Sequence, residues 1–268
     1  MGALRMGQGL LIPAEARRFA GLEGILVAFR DGVRRALCDN LVAIYVTGSF
    51  LMGDFEEASS DLDFLVVTRH PLSASEVDRI ALMHEQMLQM GDWGNRLEGG
   101  YAAWSVLRPW GIDGHIVVIE PGAGAPASGP SGYSADNMLA IRDHSLTLYG
   151  LAARAILPPV DRDVFTAALR AYANELVARP GASELSAAEV ASWTLNIARC
   201  LYGLETGRPC TKKDAATWLT SVDPTLAPIL LAALAVRRGT ADVAAGDTLR
   251  AGFTALQNAV ARWDLKVD

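Results

Sequence analysis

Cysteine is scarce in this chain of 268 residues, and the three cysteines stand far apart. Cys38, Cys200 and Cys210 form neither a C-x-x-C pair nor a zinc-type spacing, so a disulfide framework and a structural zinc site are not expected. The four histidines show no H-E-x-x-H pattern. We therefore expect reduced thiols and a cytoplasmic location.

The chain has no excess of basic residues: 24 Lys and Arg stand against 30 Asp and Glu, a net charge of −6. Because nucleic-acid binding needs clustered cations, we expect no nucleic-acid partner. An acidic surface fits a small cationic substrate, although solubility explains the same charge. No secretory signal is recognisable, and the longest apolar run, residues 226–236, is too short for a bilayer, so we expect no membrane association. The working expectation is a monomer.

Two short apolar runs lie within residues 42–68, VAIYV at 42–46 and LDFLVV at 62–67. Both are rich in β-branched and aromatic residues and bounded by turn residues, which predicts two strands. Gly48 and Ser49 follow the first run. A Gly-Ser turn after a buried strand can bring backbone N–H groups close to a phosphate, and the serine hydroxyl adds a donor.

Asp61 and Asp63 stand two residues apart at the start of the second predicted strand. Because side chains alternate along a strand, both carboxylates share one face of the sheet. Two adjacent carboxylates repel each other unless a cation lies between them. A small number of hard oxygen ligands suits Mg²⁺, which completes its coordination with water and substrate phosphate. The spacing therefore predicts a magnesium site, with one or two ions.

The remaining periodicities predict an α+β protein of two domains. Helices are expected at 13–40 and 75–90, and strands within 96–107 and 114–120. Residues 121–132, PGAGAPASGPSG, have the composition of a linker. Nearly everything beyond it has helical period, and short turns between helices indicate a bundle. We place one domain at 1–125 and a helical domain at 126–268.

The order of strand, Gly-Ser turn, short acidic segment and D-x-D strand resembles the nucleotidyltransferase superfamily that includes DNA polymerase beta and the small antibiotic nucleotidyltransferases. Gly48, Ser49, Asp61 and Asp63 match its signature. The resemblance implies an N-terminal nucleotidyltransferase domain, a mixed sheet with flanking helices that binds Mg²⁺ and a nucleotide.

Glu98 is the one carboxylate in the predicted third strand. In the aminoglycoside adenylyltransferases a glutamate on the corresponding strand serves as the base, and Glu98 matches by order and context; it could instead be a third metal ligand. Gly99 and Gly100 replace the family's β-branched residues and indicate a bulge or a close approach of substrate. Asp113 and Glu120 are the further candidates for the base.

A second stretch, residues 195–218, reads LNIARCLYGLETGRPCTKKDAATW and resembles the helical domain of the streptomycin/spectinomycin adenylyltransferases. The matching positions are Arg199, Thr206, Gly207, Lys212 and Trp218. Residues 142–146, RDHSL, resemble the family's Arg-x-His-Ser stretch. The resemblance implies that Arg199 and Lys212 reach the ATP phosphates, where they would offset charge on the departing pyrophosphate.

Glu189 stands where the family carries an acid that contacts the cationic drug. Ser186 and Glu189 also match a capping box, which explains the same residue structurally. Trp104 and Trp110 are candidates for a substrate pocket or for buried packing.

Together these resemblances imply Mg²⁺-dependent transfer of AMP from ATP to a hydroxyl of an aminoglycoside or aminocyclitol antibiotic. Three different functions remain open at this point. In the first, AMP is transferred to a protein side chain or another small molecule. In the second, the chain is a nucleotide-binding module without activity. In the third, it is a nucleotidyltransferase of a toxin–antitoxin pair.

Overall fold

The computed structural model describes residues 19–108, 111–178 and 185–260. Its eight strands are β1 (Leu41–Thr47), β2 (Leu62–Thr68), β3 (Leu97–Ala103), β4 (Leu107–Arg108), β5 (Gly111–Ile112), β6 (His115–Ile119), β7 (Ala127–Pro130) and β8 (Leu146–Tyr149). Six of them form a mixed sheet in the order β7-β6-β3-β2-β1-β8, while β4 and β5 pair separately. In the six-stranded sheet β2 and β3 run parallel, and the other neighbours are antiparallel.

The described helices are α1 (Leu22–Leu37), α2 (Ala74–Leu88), α3 (Ala135–His144), α4 (Ala153–Ile156), α5 (Arg162–Ala178), α6 (Ala187–Thr206), α7 (Lys212–Val222), α8 (Ala227–Arg237) and α9 (Val243–Val260). The apolar stripes of α1 and α2 pack on the sheet face that carries Phe64 and Val66. On the opposite face, α3 and α4 pack against Leu65 and Val67. Since side chains alternate, Asp63 shares this second face.

The α+β fold is confirmed, with the predicted strands at β1, β2, β3 and β6. The helix predicted at 13–40 is observed as α1 over 22–37, and residues 13–18 lie outside the described part of the chain. The helix predicted at 75–90 is α2.

Two expectations after residue 120 were wrong. The predicted linker contains β7, which pairs with β6 at the edge of the sheet. An edge strand tolerates the Pro and Gly residues that give this segment the composition of a linker. The helical structure expected beyond the linker is interrupted after His144, where α3 ends, and the alternating residues 146–149 form β8 beside β1.

The division at residue 125 stays a prediction, and the packing favours a later one. Both β7 and β8 lie beyond residue 126 yet belong to the sheet. Ala153 and Leu157 also belong to the sheet's second core. A separate core of helices α5 to α9 begins with Phe165, so the change of core falls near residue 160.

Candidate active site

The carboxylates predicted from the sequence lie at neighbouring strand positions on one face of the sheet. Asp63 of β2 pairs in register with Glu98 of β3, and Gly99 pairs with Ile119 of β6. Glu120, the next residue after Ile119, therefore stands beside Glu98. Asp61 immediately precedes β2. Asp61, Asp63, Glu98 and Glu120 thus lie together at the same end of three adjacent strands.

These acids line a cavity of about 920 Å³ between the sheet and the C-terminal helices. Its volume lies toward the upper end of ligand pockets, roughly 300–1,000 Å³. The cavity wall includes seven of the predicted site residues: Gly48, Ser49, Asp61, Asp63, Glu98, Arg199 and Lys212. Arg199 comes from α6 and Lys212 begins α7, so cations from the helices face acids from the sheet.

Gly48 is required where β1 turns toward the cavity. Its φ of 87° lies in the left-handed region, and a Cβ there would stand 1.9 Å from Oδ2 of Asp63. The turn is closed by the Leu51 N–H, which donates to the Gly48 carbonyl at 3.2 Å. Glycine at this position therefore allows the carboxylate of Asp63 to lie directly against the Gly-Ser turn.

We expect Gly48→Ala to reduce activity by about 10²-fold or more, because it displaces the Asp63 carboxylate and small misplacements of a reacting group have effects of that size. Gly53→Ala is the matched control. Gly53 also has positive φ, 71°, but its Cβ position meets nothing within 4 Å. Steady-state rates of both variants separate the clash from backbone strain, and equal losses would show that the contact with Asp63 is not what matters.

Burial and mutual repulsion change the proton affinities in the cavity. Burial, then the charge of Asp61, raises the pKa of Asp63 to about 6. Burial, followed by the charges of Asp63, Asp61 and Glu120, raises the pKa of Glu98 to about 7. On the opposite wall, burial and the neighbouring Arg199 lower the pKa of Lys212 to about 8. Such opposed shifts in one cleft are typical of functional sites.

The donor set of Asp61 and Asp63 fits a magnesium ion carried by a phosphate ligand. Within the described part of the chain, neither carboxylate is held in a salt bridge. Nor do the described residues contain a group of three or more metal-binding side chains placed to hold an ion alone. Two carboxylates with space in front of them suit an ion that takes its remaining ligands from phosphate and water.

Glu98 is carried by a strand without a bulge, contrary to one prediction for the glycine pair beside it. β3 pairs with β2 in continuous register. A Cβ on Gly99 would stand 2.0 Å from the Phe64 carbonyl oxygen, to which the Tyr133 hydroxyl donates at 2.6 Å. The close neighbours of the glycines are thus the protein's own atoms: the backbone and ring of Phe64 at Gly99, and the side chains of Ile116 and Tyr133 at Gly100.

Comparison with known proteins agrees with this arrangement. A sequence model of the nucleotidyltransferase domain matches residues 30–91, and a model of the aminoglycoside adenylyltransferase C-terminal domain matches residues 155–261. The chain therefore carries a nucleotidyltransferase domain, followed by a domain that matches the C-terminal domain of the aminoglycoside adenylyltransferases. The resemblance seen in the sequence is therefore confirmed, as is the prediction of an enzyme of the nucleotidyltransferase class.

Among solved structures, the fold matches the spectinomycin adenyltransferase AAD(9) of Enterococcus faecialis, crystallised with ATP and spectinomycin. The TM-score is 0.70 at 17% sequence identity, and the match covers 89% of this chain and 98% of that one. A search of curated protein sequences finds no significant match. None of the helices in the described ranges is long and apolar enough to cross a membrane.

Other residues that match the adenylyltransferases make structural contacts. Gly207 ends α6 with a φ of 70°, and Trp218 packs edge-on against Tyr202. In the RDHSL stretch, Arg142 pairs with Asp143 and is not among the residues that line the cavity.

Glu189 is not brought to the cavity, and the predicted contact with substrate is not supported. Its carboxylate accepts hydrogen bonds from the N–H and hydroxyl of Ser186, 2.9 and 2.7 Å away, and the residue is exposed. The bonds from Ser186 lower its pKa. The capping box thus accounts for Glu189, because the reciprocal bonds turn its side chain back toward the start of α6. Ala188, Ala191 and Ser192 line the cavity instead.

Several lining residues had no signal in the sequence. Tyr133, Asn137, Tyr172 and Asn196 also line the cavity, with the Asn196 amide donating to the Tyr172 hydroxyl at 3.3 Å. Tyr133 follows the segment predicted to be a linker. Trp104 is 47% exposed and does not line the cavity, while Trp110 lies outside the described residues.

Proposed function

We propose that the protein transfers AMP from ATP to a hydroxyl of a small cationic molecule with the help of Mg²⁺, an aminoglycoside or aminocyclitol of the streptomycin or spectinomycin kind. The observation that carries this proposal is the cavity itself, which joins paired acids, a separate glutamate and two cations from another core. The ATP and spectinomycin bound to the structurally similar adenyltransferase support it.

The nucleotide would lie between the Gly-Ser turn and the helices. The N–H groups and hydroxyl at Ser49 are suited to bind phosphate oxygens, and Arg199 and Lys212 would contact the same phosphates from the other wall. Asp61 and Asp63 would hold Mg²⁺, which when bound polarises the phosphoryl group and offsets its charge. Cations already fixed in the cavity stabilise charge on the leaving pyrophosphate without reorganisation.

In this proposal Glu98 serves as the general base. With a pKa raised to about 7, its carboxylate is a stronger base than an ordinary glutamate, and a substantial fraction of it is ionised near neutral pH. It takes the proton from the acceptor hydroxyl while that oxygen forms a bond to the α-phosphorus. The bond from the α-phosphorus to the bridging oxygen breaks, and pyrophosphate leaves with the electron pair.

We assign to Glu120 the contact with the cationic acceptor that was predicted for Glu189. It lies one strand beyond Glu98, lines the cavity and is free of salt bridges within the described ranges. We expect Glu120→Gln to raise the KM for a cationic acceptor about tenfold, because a hydrogen bond to a charged group contributes roughly 1.5–3 kcal/mol. The KM for ATP should not change.

Glu189→Gln is the control for this prediction, measured in the same kinetic assay. Because Glu189 caps α6 away from the cavity, we expect only a small fall in thermal stability and an unchanged acceptor KM. An acceptor KM that rises in Glu189→Gln and not in Glu120→Gln would return the substrate contact to Glu189.

The proposed function is tested by incubating the protein with ATP, Mg²⁺ and a panel of aminoglycosides and spectinomycin. We expect one or more of them to gain the mass of one AMP. ATP binding without any AMP transfer would contradict the proposal and favour a non-catalytic module. Transfer to protein alone would identify a protein side chain as the acceptor, and co-purification with a small helical partner would favour a toxin–antitoxin pair.

A further inference from the structure

A buried ion pair joins the loop between β1 and β2 to the C-terminal helices, in the wall of the cavity that carries Lys212. We propose that Asp54 and Arg237 are positioning residues that clamp this loop to the start of α7, so that Ser49 and Lys212 contact the same nucleotide phosphates. This inference rests on the proposed use of ATP.

Asp54 uses all of its oxygen atoms in the clamp. Its Oδ1 lies 3.1 Å from Nη1 of Arg237, and its main-chain carbonyl accepts a second bond from Nη2. Its Oδ2 accepts from the main-chain N–H of Lys212 at 3.0 Å. Asp54 and Arg237 are only 7% and 9% exposed, so both charges are withdrawn from water. Arg237 is the cation paired with Asp54, while a second and more exposed acid, Glu56, lies 3.9 Å from Arg237.

The clamp reaches the phosphate-binding turn through one more hydrogen bond. The Asp54 N–H donates to the carbonyl of Ser49 at 3.1 Å. Two bonds therefore connect Ser49 on the sheet side to Lys212 on the helix side, although 158 residues separate Asp54 from Lys212.

The far end of the same loop is also held by Arg237. The Ser59 hydroxyl donates to the Arg237 carbonyl at 2.7 Å, and Nη2 of Arg237 lies 3.4 Å from the Ser60 hydroxyl. Because Asp61 follows directly, Arg237 bonds to residues near both functional ends of the loop. A loop of this length would otherwise be among the less stable parts of the fold.

A buried ion pair contributes little to stability compared with apolar residues of the same size, whereas removing one partner leaves a buried charge unpaired. This difference separates positioning from stability experimentally. Asp54→Ala leaves Arg237 with only the more distant carboxylate of Glu56, 3.9 Å away, and Arg237→Met leaves the buried charge of Asp54 without its cation. Both variants should therefore unfold more easily. The double variant removes both charges, so part of the stability should return, but the bonds that fix the loop remain absent.

The test measures Mg-ATP binding by calorimetry and thermal unfolding for the wild type, both single variants and the double variant. We expect each single variant and the double variant to bind Mg-ATP at least tenfold more weakly, although the double variant unfolds at a higher temperature than either single one. Asp54→Asn, which keeps an acceptor for the Lys212 N–H, should lose less affinity than Asp54→Ala.

Leu249→Ala is the control for general destabilisation, since Leu249 is fully buried in the helical core and does not line the cavity. It should lower the unfolding temperature and leave ATP affinity unchanged below that temperature. Recovery of wild-type ATP affinity in the double variant, or wild-type affinity in the single ones, would overturn the clamp. A wild-type protein that does not bind Mg-ATP would instead overturn the proposed function on which the clamp rests.

Discussion

Replacing Asp63 by asparagine is expected to abolish AMP transfer while making the metal-free protein more stable at pH 7.5. Asparagine keeps the shape of the side chain but removes a charge that burial and Asp61 disfavour. The expected fall in rate is on the order of 10³-fold, because a bound metal supplies several kcal/mol of transition-state stabilisation. Asp61→Asn should act in the same direction.

The stability gain has a defined dependence on pH. The folded-state pKa of Asp63 is raised from 3.8 to about 6, so the folded protein holds this proton more tightly than the unfolded chain. The resulting stabilisation is complete below pH 4 and is lost as pH rises through about 6. Glu98 adds a loss of the same sign through about pH 7. Lys212, whose pKa is lowered from 10.5 to about 8, adds a slope of the opposite sign that begins only as pH approaches 8.

Thermal unfolding of the metal-free proteins between pH 5 and 7.5 checks this prediction. The wild type should lose stability as pH rises, and Asp63→Asn should lose less. Added Mg-ATP should stabilise the wild type and have little effect on the variant. A less stable Asp63→Asn protein that still transfers AMP would contradict the assignment. Asp78→Asn, which changes an acid of α2 that does not line the cavity, is the matched control.

Glu98→Gln is expected to retain ATP binding and lose about 10²–10⁴-fold in turnover, the range for a missing general base. Since the base acts only when ionised, kcat/KM of the wild type should rise with pH through an acidic limb at or below about 7. Nearby bound Mg²⁺ would move that limb to lower pH. The remaining activity of Glu98→Gln should lack the limb.

Glu120→Gln distinguishes the two carboxylates that stand side by side in this part of the sheet. If Glu98 is the base, Glu120→Gln keeps the acidic limb and most of its turnover. If the limb disappears in Glu120→Gln and survives in Glu98→Gln, the base is Glu120. Asp113, the third candidate for the base, does not line the cavity.

The sequence predicted the parts of the site whose residues lie close together along the chain. Asp61 and Asp63 share a strand, and alternation alone places them on one face. The turn at Gly48 had a local signal as well. Arg199 and Lys212 entered only through the resemblance, because a lone cation on a helix carries no signal of its own. The structure places all of these residues around one cavity, and their functional roles stay predictions.

Contacts between distant segments were not predictable. Asp54 and Arg237 meet across 183 residues, and Arg237 ends an apolar helix where a cation would ordinarily complement the helix dipole. The edge strand β7 was predicted to be a linker because its composition suits a strand only at an edge. At Glu189 two explanations competed, and the local one, the capping box, describes the observed contacts.

The central claim is that Asp61 and Asp63 hold a divalent cation against the nucleotide. Crystals grown with Mn²⁺ and a non-hydrolysable ATP analogue test it most directly through the anomalous signal of manganese. We expect a manganese peak bonded to both carboxylates and to phosphate oxygens, facing Ser49 and Lys212. A nucleotide bound with its metal elsewhere, and with both carboxylates free of it, would contradict the account.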